Sequence, residues 1–385
     1  MSISAVILGL CQFLFMAAVA VGISFNGLVG KLLAPSPVMA TFPFLFMMGS
    51  TAMLTLLMPR LLSGLGYRRI FLLGAFAGAS GGGLAAISIY WESFIVFCLA
   101  GFLIGIYQAS ALYYRFAAAD AVEGEQKSTA IAWVLSGGIL AAFVGPILGS
   151  HSLHWLSVEY SGSYLVVAVL AATALPIILV SPIANHQSKK IALVEWKNAP
   201  PNAFAAMLFC TGGYSIMLLI MLASPLAMSS CGFHAPDAAG VIQWHLLGMF
   251  APSLIAGKLI GKFGAQTIAL AGVDVLACGC AIALLGVQID VFNFSLLTVG
   301  VGWNFMYMSG STILTQIPDA AMRSRLQAIN EFSTFSIIAM VSGITGWLYE
   351  SLGWETILYV ALGFLFFIAV AAVIKGRQQY LSLAQ

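Results

Sequence analysis

Three polar side chains in one long apolar stretch have the types and spacing of a binding surface. Asn304, Tyr307 and Ser311 are separated by three and four residues, so a helix would carry them on one face. Polar groups in hydrocarbon are costly and need partners. An amide, a phenol and a hydroxyl could form a hydrogen-bonding wall for a polar or aromatic solute, or they could bond to neighbouring helices. The sequence leaves both interpretations open.

Two other apolar stretches carry a glutamine beside a second polar group. Gln108 follows Tyr107 and lies seven residues before Arg115, which places Gln108 and Arg115 on one helical face. We consider Tyr107 and Gln108 as solute contacts, and Arg115 as a basic anchor or a gate partner. Gln243 and His245 lie in a further stretch. His245 could carry a proton near physiological pH, although a neutral imidazole bonded to a neighbouring helix is favoured.

Two carboxylates lie within apolar stretches. Glu331 is six residues past Arg325, about 9 Å deeper at the rise of a helix. It could pair with Arg115 and close a gate, bind a coupling proton, or be solvated at the interface; the gate is favoured. Asp274 lies near the middle of its stretch with no Lys or Arg at comparable depth. A structural hydrogen bond is favoured there over proton coupling.

The high apolar and low charged content of the chain indicates that these residues lie in a membrane protein. The 385-residue chain is 61% hydrophobic and 7% charged, and its mean hydropathy is +1.02, whereas soluble domains are about 25% charged. The apolar runs are about 20 residues long, enough for a helix to cross a bilayer, and they lack the alternation of barrel strands. The sequence therefore predicts an all-α membrane protein that contacts lipid. It shows no nucleotide-binding loop or catalytic constellation, so we expect neither an enzyme nor a cofactor, metal or nucleic-acid site.

Twelve transmembrane helices can be drawn, six on each side of a polar linker at 183–202, giving two pseudo-symmetric six-helix bundles at 1–182 and 203–385. With both termini in the cytoplasm, all of the fifteen Lys and Arg residues except Lys31 fall on the inner side. The predicted spans, numbered one to twelve, are 4–30, 36–58, 69–90, 92–114, 128–150, 162–182, 203–229, 238–258, 266–288, 291–314, 326–348 and 354–375.

A short basic, glycine-containing loop occurs once in each half, and Gly264 follows Gly66 by 198 residues. Duplicated halves are typical of transporters. The twelve spans, the basic linker and these loops together resemble the major facilitator superfamily, whose loop signature is G-x-L-x-D-R-x-G-R-R. The residues that fit the signature are Leu61, Gly66, Arg68 and Arg69 in the first half and Gly257, Leu259, Lys262 and Gly264 in the second.

The Asp of that signature is absent from both copies, where Ser63 and Gly261 stand instead. Its role as a carboxylate lock therefore passes to other residues. The candidates are Asp120 and Asp319, which follow spans four and ten, together with Glu331.

Span five carries a second motif, Gly145-Pro146-Ile147-Leu148-Gly149, which resembles the G-P-x-x-G motif of the same superfamily. Gly137, Ala141, Gly145 and Gly149 recur every four residues and form a smooth face that another helix can approach closely. We expect packing as the main role of this face. A hinge at Pro146 is the alternative.

The resemblance implies a secondary transporter that moves a small organic solute by alternating access, with or without a proton, across a bacterial inner membrane. Similarity of the stretches at 114–120, 302–305 and 327–331 to a bacterial subgroup implies vitamin (riboflavin) uptake in some relatives. A siderophore, a drug or another metabolite fits equally, and import and export both stay open. The alternative is a membrane receptor or assembly scaffold that retains the fold. A monomer is favoured.

Overall fold

The computed structural model describes residues 3–122, 126–183 and 200–383, and within them every regular element is a helix. Most of the predicted linker at 183–202 lies outside these residues. A 3₁₀ turn (Pro37–Met39) and a π-helical segment (Leu208–Gly212) accompany the α-helices. These are α1 (Ile3–Leu33), α2 (Phe42–Tyr90), α3 (Phe94–Ala111), α4 (Tyr114–Asp120), α5 (Gln126–His151), α6 (Ser161–Val180), α7 (Pro201–Met207), α8 (Gly213–Ser230), α9 (Ala235–Phe250), α10 (Ser253–Phe263), α11 (Ala265–Ala283), α12 (Ile289–Thr315) and α13 (Ala320–Leu383).

Ten stretches in the described part of the chain are helical, long and apolar enough to cross a membrane. Twelve were predicted, and the difference has two sources. Predicted spans eleven and twelve lie, except for the last residue of span twelve, in one such stretch, Arg325–Ile374. Predicted span ten lies in α12, which is not among the ten. Polar residues such as Asp290 and Asn304 interrupt the apolar sequence of α12.

Both signature loops contain a single-residue break in the helical backbone. Gly66 interrupts α2 with a φ of 73°, and Gly264 separates α10 from α11 with a φ of 85°. Glycine adopts these values without the steric cost of a side chain. The two halves therefore use the same device at the position where the sequence repeats. Gly353 breaks α13 in the same way, with a φ of 76°.

Small residues let the helices of the first half approach closely. A Cβ at Gly145 would lie 2.6 Å from Ala20 Cβ and 2.9 Å from the carbonyl oxygen of Ala17. The glycine face of α5 therefore lies directly against α1, in the manner of small-residue packing in membranes. Pro146 lies inside the same helix without ending it.

Contacts occur both within and between the two halves of the sequence. In the first half α2 packs on α3 and α6, and α1 packs on α5 and α6. In the second half α12 packs on α9 and α11, and α13 packs on α8. Across the halves, α2 contacts α13, α5 contacts α9, and α1 contacts α8 and α9. A cavity lies between these cross-contacts.

Candidate solute-binding cavity

The cavity is enclosed by helices from both halves of the chain and has a volume of about 180 Å³. Its lining residues come from α1, α2, α3, α4 and α5 on one side and from α8, α9, α12 and α13 on the other. Val19 and Trp303 lie near the middle of α1 and α12, and Tyr214 and Met249 lie near the middle of the apolar stretches Asn202–Ser230 and Ala235–Phe263. A ligand here would sit between the two halves of the chain, where transporters bind their substrates.

Aromatic side chains form the wall contributed by the second half. The rings of Trp303 and Tyr307 on α12 stack with their centroids 5.2 Å apart and an interplanar angle of 16°. Tyr214 on α8 meets Trp303 edge-on at 5.3 Å, and Phe335 on α13 lies 6.5 Å from Tyr214. Such faces suit a flat ring, because packed aromatic rings contribute binding free energy beyond that expected from the surface area they bury.

The wall from the first half is apolar except for a few groups. Both walls carry methionines, whose flexible thioethers adapt to irregular or aromatic ligands. Three come from the first half and three from the second: Met16, Met47, Met48, Met217, Met221 and Met249. Gln108 on α3 is 7% exposed, and its Nε2 contacts Met48 Sδ at 3.8 Å. Gln108 Oε1 has no hydrogen-bond partner among the described residues, and neither has Trp303 Nε1.

At one end of the cavity an ion pair joins the two halves. Arg115 Nη2 on α4 lies 3.8 Å from Glu331 Oε1 on α13, with both side chains about a quarter exposed (24% and 25%). The hydroxyl of Tyr307 donates a hydrogen bond of 3.2 Å to the same carboxylate oxygen. The structure thus brings together the two residues predicted as gate partners. It also links them to the aromatic wall, which the sequence did not indicate.

Of the predicted polar wall on α12, only Tyr307 lines the cavity. Asn304 Nδ2 donates to the carbonyl oxygen of Met249 at 2.7 Å and to Ser253 Oγ at 2.6 Å, tying α12 to α9 and α10. Ser311 Oγ contacts Cys210 Sγ at 3.8 Å. Helical phase explains the difference, because Trp303 and Tyr307, four residues apart, share the cavity face and Asn304 is rotated away.

His245, Gln243 and Tyr107 lie outside the cavity lining. His245 is fully buried. Its Nδ1 is 2.7 Å from the carbonyl oxygen of Leu296 and its Nε2 is 3.3 Å from Met217 Sδ. Its bonds to neighbouring helices match the favoured interpretation. Tyr107 is buried edge-on against Phe15, at 5.1 Å between centroids, and Gln243 is half-buried beside His245.

Asp274 does not make the expected structural hydrogen bond to any described residue. It is exposed on the outer side of α11, whereas Gly272, Val273 and Leu276 form the buried side. The sequence correctly placed Asp274 near the middle of the helix, but it did not show toward which side of the helix the side chain points. Asp274 therefore lies away from the cavity and from the Arg115–Glu331 pair.

In the first signature loop, Tyr67, which lies between Gly66 and Arg68 of the motif, makes the contact to the carboxylate of Asp120. The hydroxyl of Tyr67 donates a 2.9 Å hydrogen bond to Asp120 Oδ2 and joins the loop to the end of α4. Arg68 and Arg69 form no hydrogen bond or ion pair with the described residues. Asp120 thus meets the loop through a phenol instead of an arginine.

The second loop is built differently. Gly257 and Lys262 are exposed, and Lys262 Nζ lies 5.0 Å from the ring centroid of Phe263. The carbonyl oxygen of Asp319 accepts from the backbone N–H of Arg323 at 2.8 Å, and the Arg323 guanidinium donates to the carbonyl oxygen of Ile317 at 2.9 Å. The duplicated loops therefore share a backbone break but not their side-chain contacts.

Tyr214 and Phe335 are cavity residues that the sequence interpretation missed. Tyr214, Met217 and Met221 recur at three- and four-residue spacing on one face of α8, and that spacing was the available signal. The π-helical segment directly before α8 gave no such signal. Within it, Thr211 Oγ1 lies 2.8 Å from Thr334 Oγ1 on α13.

Comparisons with known proteins agree with this architecture. The family described as Major Facilitator Superfamily matches residues 1–342. The chain is 35% identical to the riboflavin transporter RfnT of Brucella anthropi, covering 96% of this chain and 95% of that protein. It is 26% identical to the uncharacterized MFS-type transporter YddS of Bacillus subtilis, covering 71% and 68%. The solved structure of a mutant of the nucleoside transporter NupG superposes with a TM-score of 0.70 at 17% identity, covering 97% and 99% of the two chains.

Proposed function

The chain belongs to the Major Facilitator Superfamily, and from that premise we propose that it is a secondary transporter of a flat aromatic solute of the riboflavin type. The observation that carries the proposal is the cavity between the halves, which is lined both by the stacked Trp303 and Tyr307 and by the partly unpartnered amide of Gln108. The 35% identity to a riboflavin transporter, over almost the whole of both chains, supports the choice of solute.

The test is uptake of radiolabelled riboflavin into vesicles that contain the purified protein. We expect saturable uptake that excess unlabelled riboflavin suppresses, and that Trp303→Ala lowers strongly because the stacking surface is removed. Tyr359→Phe is a suitable control, since Tyr359 is exposed in the last part of α13, outside the cavity. Uptake equal to that of protein-free vesicles would contradict the riboflavin assignment.

The proposed mechanism is alternating access between two six-helix bundles of twelve spans. The twelve arise from the ten apolar stretches if α12 crosses the membrane and Gly353 divides α13. With both termini in the cytoplasm, the Arg115–Glu331 pair lies at the inner end, where it would close the cavity in the outward-facing state and break in the inward-facing state. Accessibility of terminal tags from each side of bacterial inner-membrane vesicles tests the orientation.

We further propose that Glu331 binds the coupling proton. It is the carboxylate at the end of the cavity, while Asp274 faces outward. Protonation of Glu331 would remove its attraction for Arg115 and so release the inner end. An imposed pH gradient should accelerate uptake by the wild type but not by Glu331→Gln. Equal acceleration of both proteins would exclude this role.

A receptor or scaffold that retains the fold is the other function considered. No contact among the described residues specifically favours it. Riboflavin binding without flux, together with stable capture of a membrane partner, would support it over transport.

A further inference from the structure

We propose that Gln108 recognises a ring amide of the solute by paired hydrogen bonds. A ring amide here means an N–H and a C=O adjacent in one heterocycle. This inference rests on the proposed function, because it takes the solute to be a flat ring held in the cavity. It goes further by assigning specificity to one side chain and one functional group.

The amide of Gln108 is buried and incompletely hydrogen-bonded. The side chain is 7% exposed and lines the cavity. Its Oε1 has no partner among the described residues, and its Nε2 meets only the weakly accepting sulfur of Met48 at 3.8 Å. A buried polar atom without a partner costs about 1–3 kcal/mol. A solute that satisfies both ends of the amide therefore recovers that cost on binding.

A ligand for Gln108 must satisfy the oxygen and the nitrogen of its amide together. Oε1 accepts and Nε2 donates, and the two atoms lie side by side in one plane. A ring –NH–C(=O)– unit presents the complementary donor and acceptor at the same spacing, as when glutamine pairs with the edge of a base. A hydroxyl or a carboxylate alone cannot match both atoms in this plane. Lactams and imides of aromatic heterocycles are therefore the preferred class.

The charge at the end of the cavity and the wall from the second half also favour a neutral ring. Arg115 lines the cavity, but its guanidinium is paired with Glu331. Pairing favours an uncharged solute over an anion. Trp303 Nε1, a donor without a partner among the described residues, is available for a second carbonyl or a ring nitrogen. An imide ring stacked beside Trp303 offers such acceptors on both sides of its N–H.

The test uses two matched pairs of probes that differ by one methyl group on the imide nitrogen: riboflavin with 3-methylriboflavin, and uridine with 3-methyluridine. Calorimetric titration of the full-length protein measures each affinity. We expect the wild type to bind riboflavin at least tenfold more tightly than its methylated form. Gln108→Met, similar in size but unable to pair, should bind both forms equally, and Gln243→Met should keep the wild-type preference.

The outcomes separate this inference from the proposed function. Equal binding of riboflavin and 3-methylriboflavin by the wild type would overturn the role of Gln108 and leave the riboflavin assignment standing. Because that comparison needs no variant, it decides the matter even if Gln108→Met fails to fold. Binding of uridine but not riboflavin, with loss on methylation, would support Gln108 and contradict the flavin. Binding of none of the four probes would overturn both.

Discussion

At the scale of single residues, Tyr307 belongs to the cavity wall and to the ion pair at the same time. Its ring stacks on Trp303, while its hydroxyl holds the Glu331 oxygen that faces Arg115. A solute that displaces this ring would also disturb the ion pair. Tyr307 therefore offers a physical route from occupancy of the cavity to opening of its end.

Tyr307→Phe should separate these two roles. The ring and its stacking remain, so we expect the riboflavin dissociation constant to change by less than about twofold, while the transport rate falls about fivefold for a lost hydrogen bond worth roughly 1 kcal/mol at this partly exposed site. Binding titrations and vesicle uptake on the same preparation measure the two effects. A large loss of affinity with an unchanged rate would assign Tyr307 to binding alone.

The Tyr67–Asp120 hydrogen bond gives a second prediction at this scale. Tyr67 is buried and Asp120 is exposed, so we expect Tyr67→Phe and Asp120→Asn each to destabilise the protein by about 1 kcal/mol. Because they remove the same bond, the double variant should lose little more than either single variant. Thermal unfolding in detergent provides the comparison. Fully additive losses would mean that the two side chains act independently.

For these residues, the sequence predicted depth along a helix but not the direction of the side chain. Helical rise alone put Glu331 at a depth where Arg115 could reach it. The direction of Asn304 and Asp274 could not be read in the same way, because a rotation of about 100° per residue decides whether a side chain faces a cavity, a neighbouring helix or lipid. Tyr67 stands between Gly66 and Arg68 and is not part of the signature, although it is the residue that contacts Asp120.

At the scale of elements, two polar contacts between α13 and the described residues of the first half lie on either side of the cavity. Glu331 pairs with Arg115, and fifteen residues later, about 22 Å along the helix, the backbone N–H of Gly346 donates to Thr41 Oγ1 at 3.0 Å. Phe335 of the cavity lies between them. The sequence predicted a single apolar span here, and it gave no sign that the span is held at both ends.

Gly346→Ala should open the Thr41 end. The added Cβ would lie 2.6 Å from the carbonyl oxygen of Val38, a backbone atom that cannot rotate away, and relief of such overlap costs about 1–3 kcal/mol. We expect spin labels at Ser36 and Glu350 to move apart, and transport to slow. Gly343→Ala is the matched control, because its Cβ would meet only the end of the Leu45 side chain, at 3.1 Å. Equal effects of both variants would argue against a specific contact.

At the scale of the whole molecule, the internal repeat specifies the backbone more closely than the side chains. Gly66 and Gly264 adopt the same left-handed break 198 residues apart, as the duplicated loop predicted. The contacts around them differ, since Tyr67 binds Asp120 in one half while Lys262 lies over Phe263 in the other. The repeated loop therefore predicted the position of this backbone break. The side-chain contacts around it had to be found in three dimensions.

The Arg115–Glu331 pair allows the alternating-access mechanism to be tested across the two halves. Arg115→Glu and Glu331→Arg each place like charges about 4 Å apart, worth roughly 1–4 kcal/mol of repulsion between water-like and surface-like dielectrics. Either change should therefore hold that end of the cavity open and reduce riboflavin uptake about tenfold or more. The double exchange restores opposite charges and should recover much of the rate, although Tyr307 would then face an arginine that cannot accept its hydrogen bond. Full activity in both single variants would show that the pair does not control opening of the cavity.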